Sequence, residues 1–233
     1  MRFVVEEAVF QQLPGVLFGV VVARGVDNSR PLPAVEQLLK EQVARVREQF
    51  AGVNVKEHPT ILPYRQAFTR LGINPNKFPS SIEALVSRIA RGGDCPRISP
   101  VVDMANAFCL KHLVPMGAHD MAKFAGDIMV RFSRPEDTFL PFGKQEAEQP
   151  GPGELVYASG NTIKTRRWIW RQSEDGKITT ASRDIFFPID GFHDSNLDAV
   201  TAARDELAAF LSSVLGCPVK TGLVNAANPV LEL

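Results

Sequence analysis

Two polar residues interrupt an otherwise apolar stretch near the middle of the chain, PVVDMANAF. Asp103 and Asn106 are three positions apart, so a helix would place both side chains on one face. A carboxylate and an amide on one face can orient a polar ligand in a pocket. Residues of these types also cap helices and tie turns to the backbone. The spacing therefore leaves a ligand-binding role and a structural role both open.

A second group of polar residues follows in PMGAHD, which contains Gly117, His119 and Asp120. Glycine permits close approach of a backbone or ligand, and a histidine beside a carboxylate can transfer protons near neutral pH. His119 could also be an ordinary turn histidine in contact with water or backbone. Asp120 is better explained as a structural residue, although it could replace His119 in proton transfer. The motif predicts either a pocket wall or a plain turn.

The run KTRRWIWRQ combines cations with aromatic rings. As a strand it would place Arg167, Ile169 and Arg171 on one face and Trp168 and Trp170 on the other. Tryptophan can stack on a nucleobase and arginine can bind phosphate, but two tryptophans on one strand face more often belong to a core. The pattern favours a core position for Trp168 and leaves Trp170 and Arg171 as candidate pocket residues.

Positive charge is also concentrated in the predicted helical section of the chain. If these residues fold together they form a surface that could bind RNA phosphates, although Glu83 and Asp94 dilute its charge. The predicted RNA-binding residues are Arg65, Arg70, Lys77, Arg88, Arg91 and Arg97.

Composition restricts the class of protein. The 233 residues carry 26 Lys plus Arg and 26 Asp plus Glu, so any attraction to nucleic acid must be local. Cys95, Cys109 and Cys217 are widely separated and suggest neither a disulfide framework nor a metal site. The apolar stretch LPGVLFGVVVARGV is too short to cross a bilayer and predicts a buried strand. We expect a cytoplasmic protein with no metal or cofactor, no membrane contact and no DNA partner; the oligomeric state is left open.

The first half of the chain has the periodicity of helices after two early strands. Strands are predicted at 1–5 and 16–23, and amphipathic helices at 31–50 and about 62–71. A third helix follows Ser80 or Ser81, where Glu83 has capping-box spacing, and ends at the Gly92-Gly93 pair.

The second half has an extended pattern and then a final helix. Short apolar runs bounded by turn residues begin at Asp127 and continue through TFLPFG, ELVYAS, TRRWIWRQ and DIFFPIDGF, which is typical of strands. A periodic helix is predicted at about 196–215, ended by Gly216. This order of elements predicts an α+β fold with a central β-structure and helices packed around it. We expect one domain over 1–233, with an N-terminal section at 1–80.

These motifs together resemble the B3/B4 domain of the bacterial phenylalanyl-tRNA synthetase β subunit. The resemblance is carried by ISPVVDMANAFCLKHLVPMGAHDM, followed in the family's order by GDIMVR, GELVYAS and DIFFPIDGF. It runs from about Ile82 to Phe192, roughly half of the chain. The protein is similar to a freestanding version of that domain. It implies the B3/B4 fold, tRNA as partner, and hydrolytic editing, in which a wrongly attached amino acid is removed from the 3′ end of a tRNA. Such ester hydrolysis needs a positioned water and donors for the oxyanion.

The family's editing residues are only partly retained. Its Asp and Asn fall on Asp103 and Asn106, whereas its Thr falls on Ala105, its His on Gly117 and its Glu on Pro188. The resemblance therefore implies a substrate other than tyrosine on phenylalanine tRNA.

Two polar residues lie two positions beyond the lost pair, namely His119 and Asp190. Two residues along an extended strand return to the same face. We hypothesise that His119 acts as general base or positions water, and that Asp190 orients His119 or holds the substrate's α-ammonium. Without the resemblance, Asp190 before Gly191 would be taken for a turn aspartate.

Two classes of function follow from these observations. The first is a trans-acting aminoacyl-tRNA deacylase, in which His119 and Asp190 are catalytic and the substrate contacts come from Asp103, Asn106, Gly117, Asp120, Trp170 and Arg171. The second is a noncatalytic module that kept the fold but binds RNA, an amino acid or a protein. The absence of the family's Thr, His and Glu favours the noncatalytic module. The presence of His119 and Asp190 near the lost positions favours the deacylase.

Overall fold

Two β-sheets and six α-helices make up the protein, in a computed structural model that describes residues 1–233. The strands are β1 (Arg2–Val5), β2 (Val16–Ala23), β3 (His119–Asp120), β4 (Ile128–Phe132), β5 (Leu155–Ser159), β6 (Thr162–Arg166), β7 (Arg171–Gln172), β8 (Ile185–Phe192), β9 (Val219–Val224) and β10 (Val230–Glu232). The helices are α1 (Glu7–Gln12), α2 (Pro33–Gln49), α3 (Leu62–Arg70), α4 (Ser81–Ala90), α5 (Pro100–His112) and α6 (His193–Leu215). Short 3-10 helices span Val55–Glu57 and Met121–Lys123.

The larger sheet has six strands in the order β10-β1-β4-β5-β6-β7. All its neighbouring strands are antiparallel except β1 and β4. The smaller sheet has the order β3-β8-β2-β9 and is antiparallel throughout. Its central strands, β2 and β8, are buried along their whole length, as their continuous apolar sequences require.

Aromatic side chains join the two sheets. Phe3 of β1 contacts Phe18 of β2 and Phe186 of β8, with ring centroids 5.7 and 5.2 Å apart. Tyr157 of β5 stacks on Phe3 at 6.1 Å and meets Phe18 edge-on at 6.4 Å. Rings in these arrangements add favourable quadrupole contacts to the area that they bury. The sheets therefore share one core, and a site between them is held by both.

Helix α6 lies against β2 and β8 at a place where glycines leave room for it. A Cβ built on Gly19 of β2 would lie 2.8 Å from Cγ1 of Val200, and one on Gly191 of β8 would lie 2.4 Å from Cγ2 of the same residue. Neither distance is tolerated by real carbon atoms. The two glycines thus set the close packing of α6 on the smaller sheet.

The expected α+β class is confirmed, and most predicted elements are present. The helix expected at 31–50 is α2, the one at 62–71 is α3, and the last helix begins slightly earlier than expected. Ser80 caps α4 by accepting from the Glu83 amide at 3.4 Å, but the Glu83 carboxylate binds Arg65 rather than completing a capping box.

Other expectations about local structure were wrong. TFLPFG makes only isolated bridges, and β9 and β10 had not been anticipated. TRRWIWRQ is not one strand: β6 ends at Arg166, and Arg167 and Trp168 have φ of 48° and 58°. Because this left-handed turn breaks the alternation, the proposed division of the run into an arginine face and a tryptophan face fails.

We predict that Gly19→Ala destabilises the fold by about 1–3 kcal/mol, because its methyl would overlap Val200. Val200→Ala removes the overlapping carbon, so the double variant should recover part of that loss. The measurement is a double-mutant cycle of urea unfolding free energies, with an expected coupling of about 0.5–3 kcal/mol. Strict additivity of the two single effects would show that Gly19 does not set the helix position.

Candidate functional site

A cavity of about 100 Å³ opens between the two sheets. It is bounded by the segment before β3, by the start of α4, by β8, and by the strands and turn from β5 to β7. Residues from four separate parts of the sequence line it: Ser81; Pro115, Met116, Gly117 and His119; Tyr157, Thr165, Trp168, Ile169, Trp170, Arg171 and Gln172; Pro188 and Asp190.

Asp190 is the acidic residue of this cavity and is 2 % exposed. Its Oδ1 accepts hydrogen bonds from the Tyr157 hydroxyl and the Trp168 indole N–H, both at 2.6 Å. Its backbone carbonyl accepts from the Tyr64 hydroxyl at 2.8 Å. Oδ2 accepts no hydrogen bond within the protein. It is also not one of the fully buried polar atoms that lack a hydrogen-bond partner, so it is reached from the cavity. Asp190 therefore presents one free carboxyl oxygen to the cavity.

Burial determines the protonation of Asp190. Removing the carboxylate from water raises its pKa to about 7, and the hydrogen bonds from Tyr157 and Trp168 only partly oppose that rise. Burial favours the uncharged form of a carboxyl group, while donors favour the charged form. At neutral pH both forms of Asp190 are populated, so the group can take up and release a proton.

His119 lies on β3, where it pairs with Phe186 of β8. A row of residues on three adjacent strands faces its ring, because the register pairs Tyr157 with Thr165 and Thr165 with Gln172. The Tyr157 ring stacks on the imidazole at 6.3 Å, Thr165 Oγ1 is 3.5 Å from Nε2, and Gln172 Nε2 is 3.3 Å from Nδ1.

The imidazole of His119 is neutral at physiological pH. It is 2 % exposed, and burial, assisted by the positive charge of Lys164, lowers its pKa to about 3. A neutral imidazole has one donor and one acceptor nitrogen. It can therefore orient a polar substrate or a water, but it is a weak base.

His119 and Asp190 line the same cavity without touching each other. Four positions along β8 separate Asp190 from Phe186, the partner of His119, which corresponds to about 13 Å along the strand. Tyr157 lies between them, stacking on one and donating to the other. No hydrogen bond joins Asp190 to His119, and the contact between them runs through Tyr157, so the hypothesis that Asp190 orients His119 or holds the substrate's α-ammonium stays a prediction.

Gly117 and Pro188 sit beside His119 in the cavity wall. A Cβ on Gly117 would lie 3.2 Å from His119 Nε2 and 3.3 Å from Pro188 Cγ. The resemblance assigned the family's His and Glu to these two positions. They are neighbours in space, they carry no functional group here, and any side chain on Gly117 would press on the imidazole.

Comparisons with known proteins agree with the resemblance noted from the sequence. The family model for the B3/4 domain matches residues 63–209, more than half of the chain. The chain belongs to the B3/4 domain family. The match begins within α3 and extends into α6, so the B3/4 domain is larger than the segment from Ile82 to Phe192 expected from motifs alone.

A curated protein and a solved structure are also similar to this B3/4 chain. The phenylalanine–tRNA ligase β subunit of Colwellia psychrerythraea is 33% identical over 115 residues, which are 49% of this chain and 14% of that subunit. The chain thus spans a small part of its curated relative. The crystal structure of an N-terminal fragment of the phenylalanyl-tRNA synthetase β subunit from Pyrococcus horikoshii aligns with 93% of this chain and 49% of that one, at 11% identity and a TM-score of 0.48.

The acidic and amide residues of the VVDMAN segment lie outside the cavity of this B3/4 chain. Asp103, in the first turn of α5, accepts hydrogen bonds from Arg97 Nε at 2.7 Å and the Ile98 amide at 2.9 Å. Asn106 is half-buried on the same helix and makes no side-chain hydrogen bond within the protein. Asp120 caps the 3-10 helix after β3 and accepts from Ser182 at 2.7 Å. Asp103 and Asp120 therefore hold local backbone.

Of the basic-aromatic run, Trp168 is fully buried, as favoured from the sequence, and its indole also binds Asp190. Trp170 and Arg171 line the mouth of the cavity. The Arg171 guanidinium lies 4.9 Å from the Trp170 ring centre, is exposed, and has no acidic partner. It remains free to bind an anionic group at the entrance.

The six predicted RNA-binding residues occupy different environments in the B3/4 chain. Arg65 is committed to a nearly buried ion pair with Glu83 at 2.5 Å, and Arg97 is paired with Asp103. The others, Arg70, Lys77, Arg88 and Arg91, are exposed and have no acidic partner within the protein.

Sequence reasoning missed several members of the site. Tyr157, Thr165 and Gln172 gave no local signal, because their common position results from strand pairing. The sequence indicated Ser81 only as a possible N-cap of the third helix. In the structure it also lines the cavity. The run KTRRWIWRQ stood out by its mixture of cations and aromatic rings, but its sequence predicted a strand rather than the turn at Arg167 and Trp168. None of the helices combines the length and apolar character needed to cross a membrane.

We predict opposite pH responses from the two buried groups. Asp190 has a raised pKa, so its contribution to stability is complete below about pH 4 and is lost as pH rises through about 7. His119 has a lowered pKa, so its contribution is present above about pH 6.5 and is lost as pH falls toward 3.

Variants that cannot titrate should reveal each contribution. The stability of Asp190→Asn, relative to the parent, should rise with pH between about 4 and 7, whereas that of His119→Gln should fall between about 3 and 6.5. Each full change is on the order of 4 kcal/mol. Asparagine keeps an oxygen that can accept from Tyr157 and Trp168. Urea unfolding over this pH range is the measurement, and parallel curves for parent and variants would contradict the two pKa shifts.

Proposed function

We propose that this B3/4-family chain hydrolyses, in trans, the ester bond of a mischarged aminoacyl-tRNA. The observation that carries the proposal is the joint presence of Asp190 and His119 in one cavity, the first with a free carboxyl oxygen and a pKa of about 7. A base is most effective when its pKa lies near the working pH. The tRNA class of substrate follows from the family and from the name of the ligase subunit that is similar to this chain.

In the proposed reaction, ionised Asp190 accepts a proton through Oδ2 from a water that attacks the ester carbonyl carbon. The bond between that carbon and the ribose oxygen then breaks, and the proton held by Asp190 is returned to the ribose oxygen. The products are the free amino acid and the tRNA with its terminal hydroxyl restored. Tyr157 and Trp168 fix Oδ1 during both steps, so only Oδ2 faces the reacting atoms.

Other cavity residues have supporting roles in this proposal. Neutral His119 positions the substrate or the water, while Gly117 lets the substrate lie close to that ring. Ser81 is a half-buried residue at the first position of α4, and its hydroxyl makes no hydrogen bond within the protein. It can donate to the developing oxyanion at the positive end of the helix dipole. Arg171 and Trp170 receive the terminal nucleotide at the entrance.

The size of the cavity favours a small aminoacyl side chain. Its volume of about 100 Å³ is less than the roughly 150 Å³ of an apolar cavity that accepts benzene. The comparison favours a side chain smaller than a phenol group, which agrees with the absence of the family's His and Glu at Gly117 and Pro188. Because tRNA is charged in the cytoplasm, the proposal also places the protein there, and its three buried free cysteines suit a reducing compartment.

The test is a deacylation assay with a panel of mischarged tRNAs, including small amino acids and tyrosine. Asp190→Asn should lower kcat/KM by about 10²- to 10⁴-fold, as expected for loss of a general base, and should abolish the limb of the parent's pH profile near pH 7. His119→Gln should raise KM or lower kcat without moving that limb. Matched controls are Asp184→Asn and His112→Gln, which lie outside the cavity and should retain full activity.

A different result would favour the noncatalytic module. No turnover on any charged tRNA, together with measurable affinity for tRNA or a free amino acid, would exclude the deacylase. Equal loss of activity in the control variants would show that the effect of Asp190→Asn is not specific to the cavity.

A further inference from the structure

A groove runs along the exposed side of α4 and is separate from the cavity. We call it the α4 groove; it is lined by Lys56, Pro75, Asn76, Pro79, Glu83, Ala84, Ser87, Arg88, Arg91 and Gly93. None of these residues lines the cavity between the sheets. No role in the hydrolysis described above uses them.

Three cations of the α4 groove have no acidic partner within the protein. Arg88 and Arg91 are one helical turn apart, both are exposed, and neither makes an ion pair or a side-chain hydrogen bond within the protein. Lys56 lies on the facing 3-10 helix, where its Nζ donates to Asn76 Oδ1 at 3.0 Å. Unpaired guanidinium groups with a fixed ammonium opposite are suited to phosphate oxygens.

The acidic groups near the α4 groove do not cancel this charge. The buried Glu83 carboxylate is paired with Arg65 at 2.5 Å, and burial raises its pKa. Asp94 is paired with Arg47 at 2.9 Å, and Glu57 is not part of the groove lining. A net positive groove remains on a chain whose overall charge is zero.

The α4 groove and the cavity are connected through one short segment. Ser81, the first residue of α4, lines the cavity, while Pro79 lines the groove. Phe78, the residue before Pro79, meets the ring of Trp170 in the cavity lining edge-on, with centroids 4.9 Å apart. The ten-residue helix spans about 15 Å, a distance of roughly four nucleotides in a stacked strand.

We infer that the α4 groove binds the phosphate backbone of the RNA whose 3′ end enters the cavity, with Lys56, Arg88 and Arg91 as its phosphate contacts. This inference rests on the proposed function for the identity of the RNA as tRNA. The groove directs the strand along α4, away from the ester, so contact begins several nucleotides before the 3′ end.

Binding of uncharged tRNA to the full chain, followed by fluorescence anisotropy over a range of salt concentrations, tests the groove. Arg88→Ala/Arg91→Ala should weaken binding and reduce the slope of log affinity against log salt by about 1.4–1.8, as expected for two lost phosphate contacts. The matched control Arg183→Ala/Lys220→Ala removes two exposed cations that lie outside the groove. It should leave the slope unchanged, and equal effects of both double variants would overturn the inference.

A comparison of a full-length substrate with a short one distinguishes an error in the groove inference from an error in the proposed reaction. On full-length charged tRNA, Arg88→Ala/Arg91→Ala should raise KM about tenfold with kcat retained, whereas on an aminoacyl ester of adenosine it should match the parent. Unchanged kinetics on both substrates, with Asp190→Asn still inactive, would overturn the groove and leave the deacylase standing. Groove-dependent tRNA binding without hydrolysis of either substrate would support the groove and overturn the deacylase.

Discussion

The buried carboxyl group of Asp190 is the interaction on which the rest of the site depends. It lies on the smaller sheet, and its Oδ1 accepts from Tyr157 of the larger sheet and from Trp168 in the turn that follows β6. Its carbonyl accepts from Tyr64 of α3, whose hydroxyl in turn accepts from Asn196 of α6. A buried carboxylate is costly unless its oxygens are bonded, so both sheets and two helices must be in place before Asp190 is satisfied.

That dependence links stability to chemistry. Both donors bind the same oxygen, which leaves the other free, and the surrounding burial raises the pKa of Asp190 to about 7. The same exclusion of water keeps His119 neutral. A more exposed carboxyl would be easier to fold around, but it would be fully ionised at neutral pH and a weaker base than Asp190. The contribution of Asp190 to stability therefore decreases over the pH range in which it becomes useful as a base.

The family comparison places this chain among B3/4 domains, while its cavity departs from the pattern implied by the resemblance. The positions matched to the family's His and Glu are Gly117 and Pro188, which touch at the cavity wall and offer no hydrogen bonds through their side chains. Asp190 and His119 bring polar groups to other points of the same cavity. The positions matched to the family's Asp and Asn lie elsewhere, and Asp103 ties the start of α5 to Arg97 and Ile98. The small cavity that results accounts for the proposed preference for a small aminoacyl group.

The sequence by itself determined the elements whose signals are local. Helical periodicity located α2, α3 and α6, Ser80 marked the start of α4, and continuous apolar runs marked β2 and β8. The order of the motifs identified the family. His119 and Asp190 were found because each lies two positions after a residue matched to the family's missing His or Glu. Tertiary structure alone decided what surrounds them, because strand register brings together residues that are distant in the chain. It placed Tyr157 between His119 and Asp190, turned Trp168 toward the carboxylate through two left-handed residues, and paired Arg65 with Glu83 while leaving Arg88 and Arg91 free.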